Sequence, residues 1–249
     1  MNIGAFILLS LSILVLLALI ILRGRKGPRP QIRPLAAFQD LIAETGYAAE
    51  SGGAVHIALG SGTVYGEDAM TSLAGLQVVD ALADAAISYG APPVITVGDP
   101  TLLPLAQDML RRAYERNGLA DSYNPARVRF IASSPVGYAA GAANVVAGEN
   151  ITANMMTGAF GAEVSLVSDA SARRGLSQLA AVASPGAIAA LYPATDRLAA
   201  GEDLYSAGAQ MTKDRVRMVS LVAQDVLRAV LVLAILGMTG LTVYQQLMR

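Results

Sequence analysis

The sequence predicts an α/β protein with a doubly wound, mostly parallel, Rossmann-like sheet flanked by an N-terminal and a C-terminal transmembrane helix. Short apolar runs alternate with amphipathic segments, each run ends in a turn rich in Gly, Ser, Asp or Pro, and a long apolar segment lies at each end. Alternating strands and helices indicate βαβ units, whose right-handed crossovers produce a parallel sheet. The strands are apolar on both faces and do not alternate with polar residues, as expected for a sheet covered on both faces.

The two terminal segments have the length and composition of membrane spans. Residues 3–22 carry no charge, and residues 226–247 carry only Arg228. A bilayer core requires about 20 apolar residues in a helix. A cleaved signal peptide is the alternative for the first segment, but in signal peptides the basic residues precede the apolar run, whereas here they follow it. A buried core helix is the alternative for the second segment.

Basic residues on the inner side of both predicted spans indicate the topology. Positive residues near spans stay on the cytoplasmic side of a cell (inner) membrane. We therefore expect two spans, both termini outside, a cytoplasmic domain, and contact of the basic residues with anionic lipid headgroups. These membrane-collar residues are Arg23, Arg25, Lys26, Arg29, Lys213, Arg215 and Arg217.

The pattern divides the chain into five segments. The linker contains three prolines, which disfavour a helix, and the juxtamembrane helix is expected to continue unbroken into the second span. The segments are a transmembrane helix (3–22), a basic, proline-rich linker (23–34), the cytoplasmic α/β domain (35–210), a juxtamembrane helix (211–225) and a transmembrane helix (226–247).

Within the domain, apolar periodicity predicts five strands and a weaker sixth strand that begins at Arg197. The five are 55–59, 94–97, 128–132, 151–157 and 179–183. The helices between them are predicted at 67–89, 101–117, 136–147, 160–174 and 186–192, and a further helix is expected from about residue 35 to 42.

Composition excludes several kinds of function. Between residues 34 and 212 there are 17 acidic residues, eight arginines and no lysine, so the domain repels nucleic acid. The chain has no cysteine, which excludes disulfides and thiolate sites. Its only lysines, Lys26 and Lys213, lie beside the predicted spans, so the domain has no P-loop lysine. The only histidine, His56, lies within the first strand, about 16 Å from Ser61 in an extended chain, and is interpreted as structural.

The candidate ligand-binding residues follow the ends of the strands, where ligands bind in open parallel sheets. The first turn, GSGTVYG, resembles a dinucleotide loop, but the acidic residue expected about 20 positions later falls inside a helix. Carboxylates at these turns also stabilise helix N-termini, and we assign no metal, cofactor or catalytic residue. The ligand-binding candidates are Gly60, Ser61, Gly62, Gly98, Asp99, Ser133 and Ser134.

Three long segments carry a family resemblance: VGDPTLLPLAQDMLRRAYER, NMMTGAFGAEVSLVSDASARRG and LYPATDRLAAGEDLYSAGAQM. They resemble an uncharacterised bacterial membrane protein family known only as a domain of unknown function. The resemblance covers most of residues 34–211 and transfers no catalytic residue. It implies that the GDPT, GAFG and GED turns are features of that family.

The function expected from these observations is a non-enzymatic, membrane-anchored scaffold or accessory subunit. The double anchor and the helices rich in small residues favour self-association or assembly with other membrane protein subunits. The alternative is a ligand- or nucleotide-binding sensor domain that uses the Gly-rich turns. A third hypothesis is a hydrolase or transferase with an acidic site, for which Asp99 is the candidate acidic residue. The turn residues permit all three, since a fold does not determine a function.

Overall fold

The computed structural model describes residues 49–212 and scattered helical residues near both ends, namely 10, 13, 14, 18, 46, 225–232, 235–237 and 239. The chain divides into two compact units, one containing residues 1–33 and 213–249 and the other containing residues 34–212. Most of both predicted spans, all seven collar residues and the helix expected at 35–42 lie outside the described residues.

The second unit is built on a sheet of six strands that are all parallel, in the order β3-β2-β1-β4-β5-β6. The prediction of a doubly wound parallel sheet is confirmed. We call the side where strands begin the amino edge and the side where they end the carboxyl edge. The strands are β1 (Ala54–Gly60), β2 (Val94–Val97), β3 (Val128–Phe130), β4 (Ile151–Ala159), β5 (Ser177–Val182) and β6 (Arg197–Ala200).

Between residues 54 and 212, six α-helices cover the two faces of the sheet. The first, second and sixth pack on one face and the third, fourth and fifth on the other, each face with its own cluster of buried apolar side chains. Two short 3₁₀ turns, Ala120–Ser122 and Pro125–Arg127, precede β3. The helices are α1 (Ala69–Ser88), α2 (Leu102–Arg116), α3 (Pro135–Gly148), α4 (Val164–Arg173), α5 (Pro185–Leu191) and α6 (Glu202–Thr212).

Small residues let α1 lie very close to the sheet. The register between β1 and β4 shifts near their carboxyl ends, and Gly158 there has a φ of +104°. A Cβ placed on Gly75 of α1 would lie 2.7 Å from the Cα of Gly158. Glycine is therefore required at Gly75 because the two backbones touch, a role that glycine also has between helix and strand in other α/β folds.

Several elements differ from their predicted bounds, and two of these differences change turns at the carboxyl edge. The third strand ends at Phe130 instead of residue 132, because it is an edge strand that pairs with β2 alone. The fourth helix begins at Val164 instead of residue 160, because β4 continues to Ala159. As a result, the turns that precede α3 and α4 are longer than predicted or shifted along the chain.

One described helix, Ala69–Ser88, is long and apolar enough to cross a membrane, with a mean hydropathy of 1.3. In the structure it is α1, the crossover that connects β1 to β2, and 56% of its apolar window is buried. The length and apolarity of this helix are explained by its position in the core, where it packs against the sheet.

The described residues directly before β1 lie at the amino edge, and α6 runs toward that edge. The chain enters β1 at Ala54, directly after a turn in which Gly52 N–H donates to the Ala49 carbonyl. Helix α6 starts after β6 at the carboxyl edge and runs back alongside α1, where Gly208 meets Gln77.

Candidate functional site

The structure brings together four of the predicted ligand-binding residues at the carboxyl edge. Gly60 is the last residue of β1, Ser61 and Gly62 follow it, and Gly98 follows the neighbouring β2. The Gly98 N–H donates to the Gly60 carbonyl at 2.8 Å. The Ser61 N–H donates to the Ala159 carbonyl of β4 at 3.1 Å. The turns after β1, β2 and β4 are thus hydrogen-bonded to one another where the direction of winding reverses.

The glycines of these turns are explained by close packing. Gly60 has a φ of +85°, and a Cβ there would lie 2.1 Å from the Ala159 carbonyl oxygen. A Cβ on Gly98 would lie 2.7 Å from the Ser61 Cα, and one on Gly62 would lie 2.6 Å from the Ser72 Oγ. The space beside each glycine is filled by the protein itself, so these positions form no open cradle for a phosphate.

The polar side chains at this edge mostly cap the turns and helices beside them. The Asp99 carboxylate accepts a hydrogen bond from the Thr101 N–H at 2.8 Å, and Ser134 accepts one from the Gly137 N–H at 3.2 Å as the cap of α3. Ser133 is exposed one residue before that cap. These contacts place Asp99 and Ser134 in the local turn geometry that fixes where each helix starts.

The GAFG and GED turns have a similar local role. In GAFG, the Gly161 N–H donates to the Glu163 carboxylate at 2.7 Å, which closes the turn before α4. In GED, Gly201 has a φ of +63° and donates its N–H to the Val182 carbonyl at 2.9 Å. Both turns join the end of one strand to the start of the next helix.

Negative charge precedes the helix that follows the glycine-rich turn. Glu67 and Asp68 are exposed directly before α1. In a dinucleotide-binding fold the pyrophosphate occupies this helix N-terminus, where the backbone N–H groups and the helix dipole attract an anion. Two carboxylates at this position repel such a ligand.

Below the carboxyl edge lies a buried polar network that the sequence did not reveal. The two ring nitrogens of His56 lie 2.7 Å from the Asn154 Oδ1 and 3.0 Å from the Thr96 Oγ1. The Tyr138 hydroxyl donates to the Thr96 carbonyl at 3.1 Å and accepts from the Gly60 N–H at 3.2 Å. The network joins α3 to three adjacent strands and ends at the first glycine turn.

Burial keeps the titratable members of this network neutral. It lowers the pKa of His56 to about 4, against a smaller upward effect of the Asn154 hydrogen bond. It raises the pKa of Tyr138 to about 12, against smaller downward effects of its hydrogen bonds. A neutral imidazole with both nitrogens hydrogen-bonded fits the structural role expected of His56.

Three buried polar atoms find no hydrogen-bond partner among the described residues: Ser72 Oγ, Asn154 Nδ2 and Thr157 Oγ1. Ser72 lies under the Gly62 turn, Asn154 belongs to the His56 network, and Thr157 precedes the irregular end of β4. Within the described part of the chain, no group of three or more His, Cys, Asp or Glu side chains could hold a metal ion.

A cleft of 430 Å³ lies at the opposite side of the sheet, on the amino edge. Its walls come from the starts of β1, β2 and β4 and from the turn before β3. Sequence reasoning did not find it, because ligand sites in such sheets were expected at the carboxyl edge. Its lining residues are Gly52, Gly53, Ala54, Gly90, Pro92, Val94, Asn124, Ala126, Arg127, Arg129, Glu149, Asn150 and Ile151.

An ion pair forms one wall of this cleft. The Arg129 guanidinium contacts both carboxylate oxygens of Glu149, one of them at 3.2 Å, and also donates to the Ala126 carbonyl at 3.2 Å. Arg127 donates to the Pro92 carbonyl at 3.2 Å. Both guanidinium groups are held by the protein, and the cleft lining contains one carboxylate and two arginines.

Comparison with known proteins identifies a family. No curated protein and no solved structure matches the chain. The family model described as a domain of unknown function, DUF6754, matches residues 2–248, nearly the whole chain. The protein therefore belongs to the DUF6754 family, and its α/β unit is a six-stranded parallel sheet covered by helices.

Proposed function

We propose that the protein is a non-enzymatic scaffold or accessory subunit, anchored in a bacterial inner membrane by spans at 3–22 and 226–247, that assembles with further copies of itself. The apolar composition of these segments and the basic residues beside them support the anchoring.

The observation that carries the proposal is a group of exposed apolar side chains on α1, α6 and the turn before α1. Met70 and Leu73 are 67% and 41% exposed and, three residues apart, lie on the same face of α1. The Tyr205 hydroxyl on α6 lies 3.1 Å from the Oγ1 of Thr71, the residue after Met70. Together with Tyr65 in the turn before α1, which is 63% exposed, we call these exposed side chains the α1–α6 patch.

Contiguous exposed apolar surface is uncommon on monomeric proteins and is typical of interaction sites. The patch belongs to the carboxyl-edge half of the unit, as do Leu105, Val136 and Leu166 in the first turns of other helices. Copies anchored in one membrane would present this same patch to one another. We therefore take a second copy of the chain as its partner.

The local capping roles of Asp99, Ser134 and Glu163 support the non-enzymatic part of the proposal. A catalytic carboxylate must reach a substrate. Asp99 instead accepts from the Thr101 backbone N–H and from its hydroxyl, and Glu163 from the Gly161 N–H. These contacts account for the GDPT and GAFG turns without a reaction.

The test is the oligomeric state of the full chain after extraction into detergent, measured by size-exclusion chromatography with light scattering. We expect an oligomer, and we expect Met70→Glu combined with Leu73→Glu to weaken it by about 100-fold or more, because each buried apolar side chain contributes about 1.5–3 kcal/mol. The matched control is Leu119→Glu with Tyr192→Glu, two exposed apolar residues at the amino edge. A monomeric wild-type chain would contradict the proposal.

One observation favours the second candidate, a ligand- or nucleotide-binding sensor. The strand order β3-β2-β1-β4-β5-β6 is the order of dinucleotide-binding sheets, and the glycine-rich turn follows β1 as it does in those proteins. Against it stand the filled space beside Gly60 and Gly98 and the carboxylates of Glu67 and Asp68. Thermal shift with nucleotides and phosphorylated metabolites tests it, and binding that survives Gly60→Val with Gly62→Val would exclude this turn as the site.

A further inference from the structure

The amino-edge cleft has the properties of a binding site that the assembly proposal does not use. Its volume of 430 Å³ lies within the range of pockets that hold small ligands, roughly 300–1,000 Å³. Two of its glycines, Gly52 and Gly90, have positive φ angles, and a Cβ placed on either would meet no atom within 4 Å. These glycines border open space, whereas Gly60 and Gly98 are surrounded by protein.

Positive charge is concentrated at this cleft in a domain that is otherwise acidic. Residues 34–212 contain 17 acidic residues and eight arginines, yet the cleft is lined by two arginines and one carboxylate. A third arginine, Arg174, donates to the Glu149 carbonyl at 2.7 Å, just outside the lining. The ligand that this charge attracts is an anion.

The two arginines have different roles. Every guanidinium nitrogen of Arg129 is already engaged, two by Glu149 and one by the Ala126 carbonyl. Arg127 is held at one nitrogen by the Pro92 carbonyl, and its guanidinium has five N–H groups in a planar fork. This geometry suits the oxygens of a phosphate group, which arginine binds through two parallel hydrogen bonds.

We propose that the amino-edge cleft binds a phosphate monoester, with Arg127 as the residue that contacts the phosphate oxygens. The Arg129–Glu149 ion pair forms one wall of the cleft and adds no net charge. Asn124, whose Oδ1 caps the Ala126 N–H at 2.9 Å, lies on the rim with its amide nitrogen available to a ligand oxygen. The phosphate can belong to a lipid headgroup or to a soluble metabolite, because both present the same oxygens.

The test uses the full chain in lipid nanodiscs and distinguishes the two sources. One arm adds glycerol 3-phosphate to nanodiscs of phosphatidylcholine alone and measures the dissociation constant by calorimetry. The other arm compares the thermal midpoint in phosphatidylcholine with that in phosphatidylcholine containing phosphatidic acid. Binding in the first arm identifies a soluble ligand, and a higher midpoint only with phosphatidic acid identifies a headgroup.

We expect Arg127→Gln to weaken the response by about 10- to 100-fold, the range of a charge-assisted hydrogen bond, and Arg127→Lys to weaken it less because the charge remains. Arg112→Gln is the matched control, an exposed arginine on α2 that pairs with Asp108. Should Arg127→Gln not fold, Asn124→Asp keeps the cap oxygen and adds a repelling charge, so it must also weaken binding. No response of the wild type to either probe, or an equal response of wild type and both cleft variants, overturns the proposal.

Discussion

The two edges of the sheet use the same residue type for opposite purposes. At the carboxyl edge, Gly60 and Gly98 allow neighbouring turns to touch, and the space beside them is filled by backbone. At the amino edge, Gly52 and Gly90 border a cleft. Glycine in a turn after a strand therefore does not by itself indicate a ligand site. The two edges differ in what a Cβ added to the glycine would contact. At the carboxyl edge it would overlap backbone atoms, and at the amino edge it would meet no atom within 4 Å.

The largest expected effect comes from adding a methyl group at each edge. Gly60→Ala should lower the free energy of unfolding by about 3–5 kcal/mol, because the new Cβ overlaps the Ala159 carbonyl and the φ of +85° disfavours a side chain. Gly90→Ala, at a φ of +78° with no atom within 4 Å, should cost only about 1–2 kcal/mol. Denaturant unfolding of the full chain measures both, and equal losses would erase the distinction between the edges.

The second-largest effect is expected from protonation of His56, which is buried between the two edges. Unfolded, its imidazole binds a proton below about pH 6.5, whereas the folded protein keeps it neutral down to a pKa of about 4. The unfolding free energy should therefore fall as pH falls from 6.5 to 4, by up to about 3 kcal/mol. His56 is the only histidine in the chain, so no other imidazole contributes.

The thermal midpoint across this pH range checks the effect, with His56→Gln as the comparison. The variant should be less stable at pH 7, since it disturbs the contacts with Asn154 and Thr96, and its profile between pH 6.5 and 4.5 should be flatter. Parallel profiles for the two proteins would mean that His56 is not buried as described.

A smaller effect is expected from Tyr138→Phe, which tests how the carboxyl edge is supported from below. The change removes the hydroxyl that accepts from the Gly60 N–H and donates to the Thr96 carbonyl. Loss of these buried contacts should cost about 1–3 kcal/mol, measured as a lower thermal midpoint. Tyr192→Phe, at a side chain that is 79% exposed, should change the midpoint little and serves as control.

The smallest expected effect concerns nucleotides. If the carboxyl edge is closed as described, ATP or NAD at about 1 mM should raise the thermal midpoint by no more than about 1 °C, as expected for a dissociation constant of 1 mM or weaker. A rise of several degrees that Gly60→Val with Gly62→Val abolishes would show that this edge opens, and would favour the sensor over the scaffold.

Much of the fold was predictable because each βαβ unit is local. The strand at 94–97 and the helices near residues 102–116 and 135–148 follow from apolar periodicity and from the Gly, Ser, Asp and Pro residues between them. The bounds that were wrong lie at β3, a short edge strand, and at the turn where β4 continues to Ala159. Strand pairing sets those ends, and pairing is not a local property.

The sites were harder to predict because they depend on residues that are distant in sequence. His56 was visible as a lone histidine, but its partner Asn154 is 98 residues away. The amino-edge cleft combines turns from residue 52 to residue 151, each unremarkable alone. The Gly60 and Gly98 turns were evident in the sequence, but only the structure shows that each fills the space beside the other.

The His56 network has a consequence for evolution. Its members lie on four separate elements, with separations of 40 residues from His56 to Thr96, 42 from Thr96 to Tyr138 and 98 from His56 to Asn154. A substitution at one position leaves a buried polar group without its partner at another, at a cost of about 1–3 kcal/mol, so we expect substitutions at these positions to be coupled. The four positions therefore offer a fingerprint by which remote homologues can be recognised after overall identity has decayed.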